Sequence, residues 1–343
     1  MREPSSISNS KKIICLLAFV ALAAVTVLAV GELFERTGAR NRINAYNKQR
    51  FEDFYALEDP DLFFIGSSHS YCTFDPEIFD EMLGTSSFQL GMPLQYPDAS
   101  YYTLLEVFNH YDPAVVVVEL YWDLLGKDFD MKQADTLFMD LKNHELQAEY
   151  FAKVFPFNEK VKYFMDTARY QRDFLNYGNS VLLRKLEDWF GLQRTAVSME
   201  GSEYYRSKGY VHCDYIISED EFDKTNQFKG LDGRNYQISA IQRAFVEKMK
   251  EECDKNGVTL LFVTAPVANV SMDFIENYEA IHAQVAEMCA GLGVPYLDYN
   301  MINTEQPFLQ NEDFRDDAHL NHAGVEKVSR DYAERIREYF RPQ

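Results

Sequence analysis

The segment Asp61-Leu62-Phe63-Phe64-Ile65-Gly66-Ser67-Ser68-His69-Ser70 is a short apolar run that ends in a glycine and two serines. Such a run suits a strand buried on both faces, as strands in parallel sheets are. A serine held in the turn that follows projects from the carboxyl edge of the sheet. Glycine lets the backbone turn tightly, and the turn leaves main-chain N–H groups available to a developing oxyanion. Small residues also follow strands for purely structural reasons, so Gly-x-Ser alone does not specify chemistry.

Downstream, Asp75-Pro76-Glu77 predicts a helix start, with Asp as N-cap and Pro in the first turn. Ser86 to Leu90 predicts a second strand and Asp98 to His110 a helix. The run Ala114 to Leu120, with four consecutive valines after the Asp112-Pro113 break, predicts a third strand because β-branched side chains pack poorly in helices. The alternation resumes with a helix over Gln237 to Cys253, the Asn256-Gly257 turn and a strand over Val258 to Thr264. A helix near Ile275 to Ala290, a strand over Val294 to Asp298 and a final helix over Ala323 to Phe340 complete it. Alternating strands and helices imply an α/β fold, a parallel sheet covered on both faces, with ligands at the carboxyl ends of its strands. Between about residues 124 and 235 the alternation stops. That stretch is aromatic, charged and mostly helix-compatible, and reads as an insertion that either caps the site or packs against the sheet.

Near the other end lies Phe314-Arg315-Asp316-Asp317-Ala318-His319-Leu320-Asn321. A carboxylate three residues before an imidazole can reach Nδ1–H in a turn, fixing the tautomer and leaving Nε2 to take a serine proton. Asp316 has that spacing, with Asp317 as the fallback; a solvated acidic loop with a capping histidine is the plainer alternative.

A serine after the first strand and Asp-x-x-His before the last helix together resemble the SGNH/GDSL hydrolase superfamily, over most of the chain beyond its apolar start. The resemblance implies a three-layer α/β/α sandwich of flavodoxin-like order. It also implies a triad of Ser68, Asp316 and His319, with oxyanion donors at the N–H groups of Ser68 and Gly91. Gly66-Ser67-Ser68 is similar to the family's Gly-Asp-Ser block, with Ser67 in place of Asp. Where the family carries an asparagine that donates to the oxyanion, this chain reads Glu119-Leu120-Tyr121-Trp122-Asp123. Losing one such donor costs about 3 kcal/mol of transition-state stabilisation. No cofactor or metal is implied.

The remaining features bear on location. Residues 13 to 31 form an apolar span behind Lys11 and Lys12, broken only by Thr26 before Gly31. At about 1.5 Å rise per residue the span nearly matches the ~30 Å hydrocarbon layer. Residues 1–12 are therefore expected in the cytoplasm, 13–31 as a single-pass anchor and 32–60 as a linker with a juxtamembrane helix. Residues 61–343 form the α/β domain outside the cytoplasm; a cleaved signal peptide is the alternative.

Anchor, Gly-Ser-Ser turn and Asp-x-x-His-Leu-Asn together resemble cell-envelope members such as the teichoic acid D-alanylation protein and alginate O-acetyltransferases. That likeness implies an acyl-ester or envelope-polymer substrate and a membrane-bound O-acyltransferase as partner. It also allows a non-catalytic scaffold that binds polymer. A net charge of −20, from 54 acidic and 34 basic residues in 343, argues against nucleic acid, whose phosphates need clustered cations.

Four of the five cysteines, Cys72, Cys213, Cys253 and Cys289, lie beyond the span and allow two disulfides in three pairings. His319 and His322 with Asp316 or Asp317 offer a weaker metal reading, and Cys72 a weaker nucleophile. Asn269-Val270-Ser271 matches a glycosylation sequon, a pattern that short sequences often meet by chance.

Overall fold

The computed structural model describes residues 9–34, 46–163, 190, 203–218 and 226–340. Parts of the expected tail, linker and insertion fall outside these ranges. The chain divides into two compact units, residues 1–42 with 156–196 and residues 43–155 with 197–343.

The first unit holds helix α1 (Asn9–Phe34) and, further along the chain, α9 (Phe157–Tyr163). Within α1, Ser10–Val27 has a mean hydropathy of 2.0 and no buried residue, so α1 is long and apolar enough to cross a membrane.

The second unit is built on five strands. These are β1 (Leu62–Ile65), β2 (Ser87–Gln89), β3 (Val115–Glu119), β7 (Thr259–Thr264) and β9 (Tyr296–Asp298), in the order β2-β1-β3-β7-β9. Every pairing is parallel, Leu62 facing both Ser87 and Val115, Val117 facing Leu261 and Val263 facing Leu297. This is the 2-1-3-4-5 order of flavodoxin-like sheets, whose direction of winding reverses between β1 and β3. Two small sheets lie beside it: the antiparallel pair β4 (Glu203–Ser207) and β5 (Tyr210–Cys213), and the parallel pair β6 (Leu231–Asp232) and β8 (Ile275–Glu276).

The longer elements around the sheet are the helices α2 (Tyr46–Phe54), α4 (Pro76–Leu83), α5 (Pro97–His110), α7 (Met131–Asp140), α8 (His144–Val154), α10 (Ala240–Asn256), α12 (Tyr278–Gly291) and α14 (His322–Ile336), with single turns at α3 (Ser68–Tyr71) and α6 (Trp122–Leu125). Short α11 (Asn269–Met272) and α13 (Tyr299–Glu305) fall between them. Helices α4 and α14 pack together over one face of the sheet, where Leu62, Phe64, Val117 and Leu261 meet Phe79 and Val328. Helices α5 and α10 pack together, α5 against β1 and α10 against β7, so the architecture is a mixed α/β fold with a central parallel sheet. The local signals act as expected: Asp75 accepts from Glu77 N–H at 3.0 Å to start α4, and Gly257 ends α10 in the left-handed region at φ 69°. Ile275–Glu276, expected as helix, is instead the strand β8, and α12 begins only after Asn277 at φ 54°.

Residues between 124 and 235 supply helices α7 and α8 and then the hairpin β4–β5. The hairpin tip docks on the edge of the main sheet. Lys208 and Gly209 both take positive φ, 48° and 82°, as a tight hairpin turn requires. Gln89 N–H donates to Lys208 O at 2.9 Å, and buried Arg50 donates Nε–H to Gly209 O at 3.0 Å. A Cβ at Gly209 would lie 1.9 Å from the Gln89 carbonyl oxygen, so the contact admits only glycine. Gly209→Ala is expected to destabilise this unit by about 3 kcal/mol through clash and backbone strain. Urea unfolding checks it; an unchanged midpoint would mean the hairpin does not rest on β2.

All five cysteines are free thiols, and Cys72, Cys213, Cys253 and Cys289 are buried separately in the fold. The two disulfides allowed by their number do not form.

Candidate active site

The site lies at the carboxyl edge of the sheet, where β1 and β3 end side by side at the switch in winding. After Ile65 the chain turns through Gly66, at φ 152°, and Ser67 into the single turn of α3. Ser67 is the N-cap: its side chain accepts from His69 N–H at 3.1 Å. Ser68 is the first residue of that turn, so its own N–H has no carbonyl a helical turn behind it to bind.

The loop before α14 brings the other two groups. Asp316 Oδ1 accepts from the N–H groups of Ala318 (2.8 Å) and His319 (2.7 Å), and Arg315 N–H donates to His319 O at 3.0 Å, which closes the loop into a tight turn. His319 Nδ1 lies 2.9 Å from both carboxylate oxygens of Asp316. Its Nε2 lies 2.8 Å from Ser68 Oγ. With Nδ1–H donated to the acid, Nε2 is left to accept the serine proton. The structure thus brings Ser68 onto the Asp316–His319 pair across a sequence separation of 251 residues from the histidine. Burial acts to raise the Asp316 carboxyl, but the His319 imidazole, its hydrogen bond and the Arg315 guanidinium overcome this and hold the acid well below the usual carboxylate range.

The other candidates sort themselves by geometry. Asp317 accepts from Gln227 N–H (2.8 Å) and Nε2–H (2.9 Å), so it ties down the loop at 226–230 and is turned from the imidazole. His322 packs on His212, ring centroids 4.2 Å apart, and its Nδ1 meets Tyr210 Oη at 3.0 Å. Among the described residues no three His, Cys, Asp or Glu side chains are placed to hold a metal ion. Cys72 is fully buried, accepts from Arg315 Nη2–H at 2.9 Å, and burial pushes its thiol up to about 12, the opposite of what a nucleophile needs.

The Gly91 N–H, expected as an oxyanion donor, donates instead to Gln89 Oε1 at 2.8 Å. The cause is local: Gln89 also accepts from Ser70 Oγ–H (3.1 Å) and donates to Ser70 O (3.0 Å), so it clamps α3 against the end of β2. Gly91 still requires glycine, since a Cβ there would come 2.9 Å from Ser67 O.

Three further residues stand at the site, none with a role assigned from the sequence. His69 stacks on Tyr121 at 3.9 Å between centroids and lies 4.7 Å from the His319 ring. Burial, followed by the neighbouring His319, pushes its imidazole well below the usual histidine range, so it stays neutral. Arg315 joins the triad loop to the hairpin through Glu203, at 2.6 Å. Glu119 ends β3 beneath the serine turn. The one signal for it was a charged residue closing an otherwise apolar strand.

No protein-family model matches the chain, and no curated protein matches it. Among the solved structures similar to it at a distance are three from bacteria. One is a provisionally assigned acylhydrolase of Bacteroides fragilis, 12% identical with a TM-score of 0.38, covering 88% of this chain and 100% of that one. Another is a GDSL-like lipase of Bacteroides thetaiotaomicron, 11% identical with a TM-score of 0.38, covering 85% and 98%. The third is a lipase/acylhydrolase of Enterococcus faecalis, 13% identical with a TM-score of 0.37, covering 82% and 98%.

Proposed function

We propose that the chain is a serine acyl-ester hydrolase or O-acyltransferase of the SGNH/GDSL type, with Ser68 as nucleophile, His319 as base and Asp316 as its orienting acid. The observation that carries this reading is the 2.8 Å contact of Ser68 Oγ with an imidazole whose other nitrogen is held by a carboxylate. His319 Nε2 takes the hydroxyl proton as Oγ bonds to the ester carbonyl carbon, and the carbonyl electrons pass to its oxygen. The Ser68 N–H meets that oxyanion. Collapse breaks the ester C–O bond, and His319 returns the proton to the leaving alcohol. Water, or a hydroxyl of a second substrate, then takes the acyl group from Ser68 by the same steps in reverse.

In this reading α1 crosses the bilayer once and the sheet unit lies outside the cytoplasm, where acylated envelope polymers would be the substrate and a membrane-bound acyltransferase a partner. The apolar length of α1 supports the anchor. One observation favours the non-catalytic alternative: with no asparagine after β3 and the Gly91 N–H engaged, the oxyanion would have few donors.

Treating the purified full-length protein with a fluorophosphonate probe, followed by peptide mapping, tests the proposal. Label is expected on Ser68 alone. Label on another residue, or none at probe concentrations that saturate ordinary serine esterases, would remove the serine-enzyme reading and leave the polymer-binding scaffold.

A further inference from the structure

Glu119 has no part in the proton transfers above, yet it is built into the serine turn. Its side chain is buried, with the residue 4% exposed. One oxygen, Oε2, accepts from Ser67 N–H at 3.0 Å and from Ser67 Oγ–H at 2.7 Å. The other, Oε1, is buried with no hydrogen-bond partner among the described residues. Ser67 Oγ in turn accepts from His69 N–H at 3.1 Å, so the carboxyl at the end of β3 holds the backbone on both sides of Ser68, directly at Ser67 N–H and through the Ser67 hydroxyl at His69 N–H.

The backbone is fitted to this acid as well. A Cβ at Gly66 would lie 2.7 Å from Glu119 Cβ and 2.9 Å from Oε2, so the glycine is what lets the turn rest on the carboxyl. Burying a carboxyl whose one partner among the described residues is a serine costs free energy, and an apolar residue would continue the valine run without that cost. Glu119 therefore weakens the strand it ends while holding the turn above it.

We propose that Glu119 is a positioning residue for the nucleophile: acting through Ser67, it fixes residues 66–69 so that Ser68 Oγ stays on His319 and the Ser68 N–H stays free for the oxyanion. This rests on the serine-enzyme reading above. Burial pushes the Glu119 carboxyl up to about 7 against the two Ser67 hydrogen bonds. Oε2 accepts in either protonation state, so the role requires an acceptor oxygen of this reach and not a charge. Glutamine supplies that oxygen; leucine, of similar size, does not.

The test is steady-state hydrolysis of p-nitrophenyl acetate by the full-length protein and its Glu119→Gln, Glu119→Leu, Ser67→Ala and Ser67→Ala/Glu119→Leu variants, with Ser68→Ala as control. Glu119→Gln is expected to keep kcat, while Glu119→Leu and Ser67→Ala each lower it about 10²-fold, the cost of a misplaced reacting group, with KM unchanged. The double variant should be no slower than the slower single one. A packing role alone predicts that leucine serves as well as glutamine, and it predicts no loss confined to kcat in Ser67→Ala. If Glu119→Leu fails to fold, Ser67→Ala and Glu119→Gln still decide. Wild-type kcat in Ser67→Ala, or a loss in Glu119→Gln as large as in Ser67→Ala, overturns the role while Ser68-dependent turnover stands. Turnover that survives Ser68→Ala overturns both readings at once.

Discussion

Ser68→Ala is expected to lower turnover of an activated acetyl ester by at least about 10⁴-fold, and His319→Ala by a similar factor, with the double variant no slower than either. Serine and histidine act as a unit, so removing one leaves the other without a task. The effect should be confined to catalysis. Ser68 occupies the first position of α3, where alanine is a good helix residue, and among the described residues its hydroxyl meets His319 Nε2 alone. Near-wild-type unfolding midpoints should therefore accompany the loss. Turnover within 10-fold of wild type in either single variant, or losses that multiply in the double, would show that the 2.8 Å contact is not the reacting pair.

The centre of the sheet was legible in the sequence because β1 and β3 are buried along their whole length and read as apolar runs. Leu62–Ile65 and Val115–Glu119 fall inside the expected segments, and their boundaries follow from the turn residues beside them. The triad candidates were legible for a related reason. In a parallel sheet every strand delivers its next residues to one edge, so a serine after the first strand and a histidine before the last helix converge. What could not be read was how polar groups at that edge divide their hydrogen bonds. The family resemblance implied a free Gly91 N–H; that Gln89 folds back to accept it at 2.8 Å depends on Ser70 lying within reach of the same amide. Likewise nothing local in Glu119-Leu120-Tyr121 says that the glutamate meets Ser67, because that contact spans 52 residues and is set by the pairing of β1 with β3. The β8 strand was mistaken for helix because two residues, Ile275 and Glu276, are too short for any period to register.

Asp316→Asn is expected to reduce kcat by about 10⁴-fold, as a wrong imidazole tautomer does in serine triads. Oδ1 of Asp316 accepts from the backbone N–H groups of Ala318 and His319, and only an oxygen can sit there. An asparagine must keep its carbonyl on those donors and place its NH₂ where Oδ2 now stands, 2.9 Å from His319 Nδ1. Nδ1 then becomes the acceptor, the ring proton moves to Nε2, and Nε2 can no longer take the proton of Ser68. Asp317→Asn is the matched control: its carboxylate serves Gln227, and turnover should stay within about threefold of wild type, the margin of a change outside the proton path. The pH dependence has a definite sign. The folded-state Asp316 pKa is depressed, so its contribution to stability is present above the unfolded carboxylate value and is lost as pH falls through the folded one. At neutral pH the native protein therefore keeps this carboxylate charged, and Asp316→Asn should lower the unfolding midpoint there and leave it unchanged in strong acid. Measured kcat within 10-fold of wild type for Asp316→Asn, together with a large loss for Asp317→Asn, would transfer the role to the neighbouring acid.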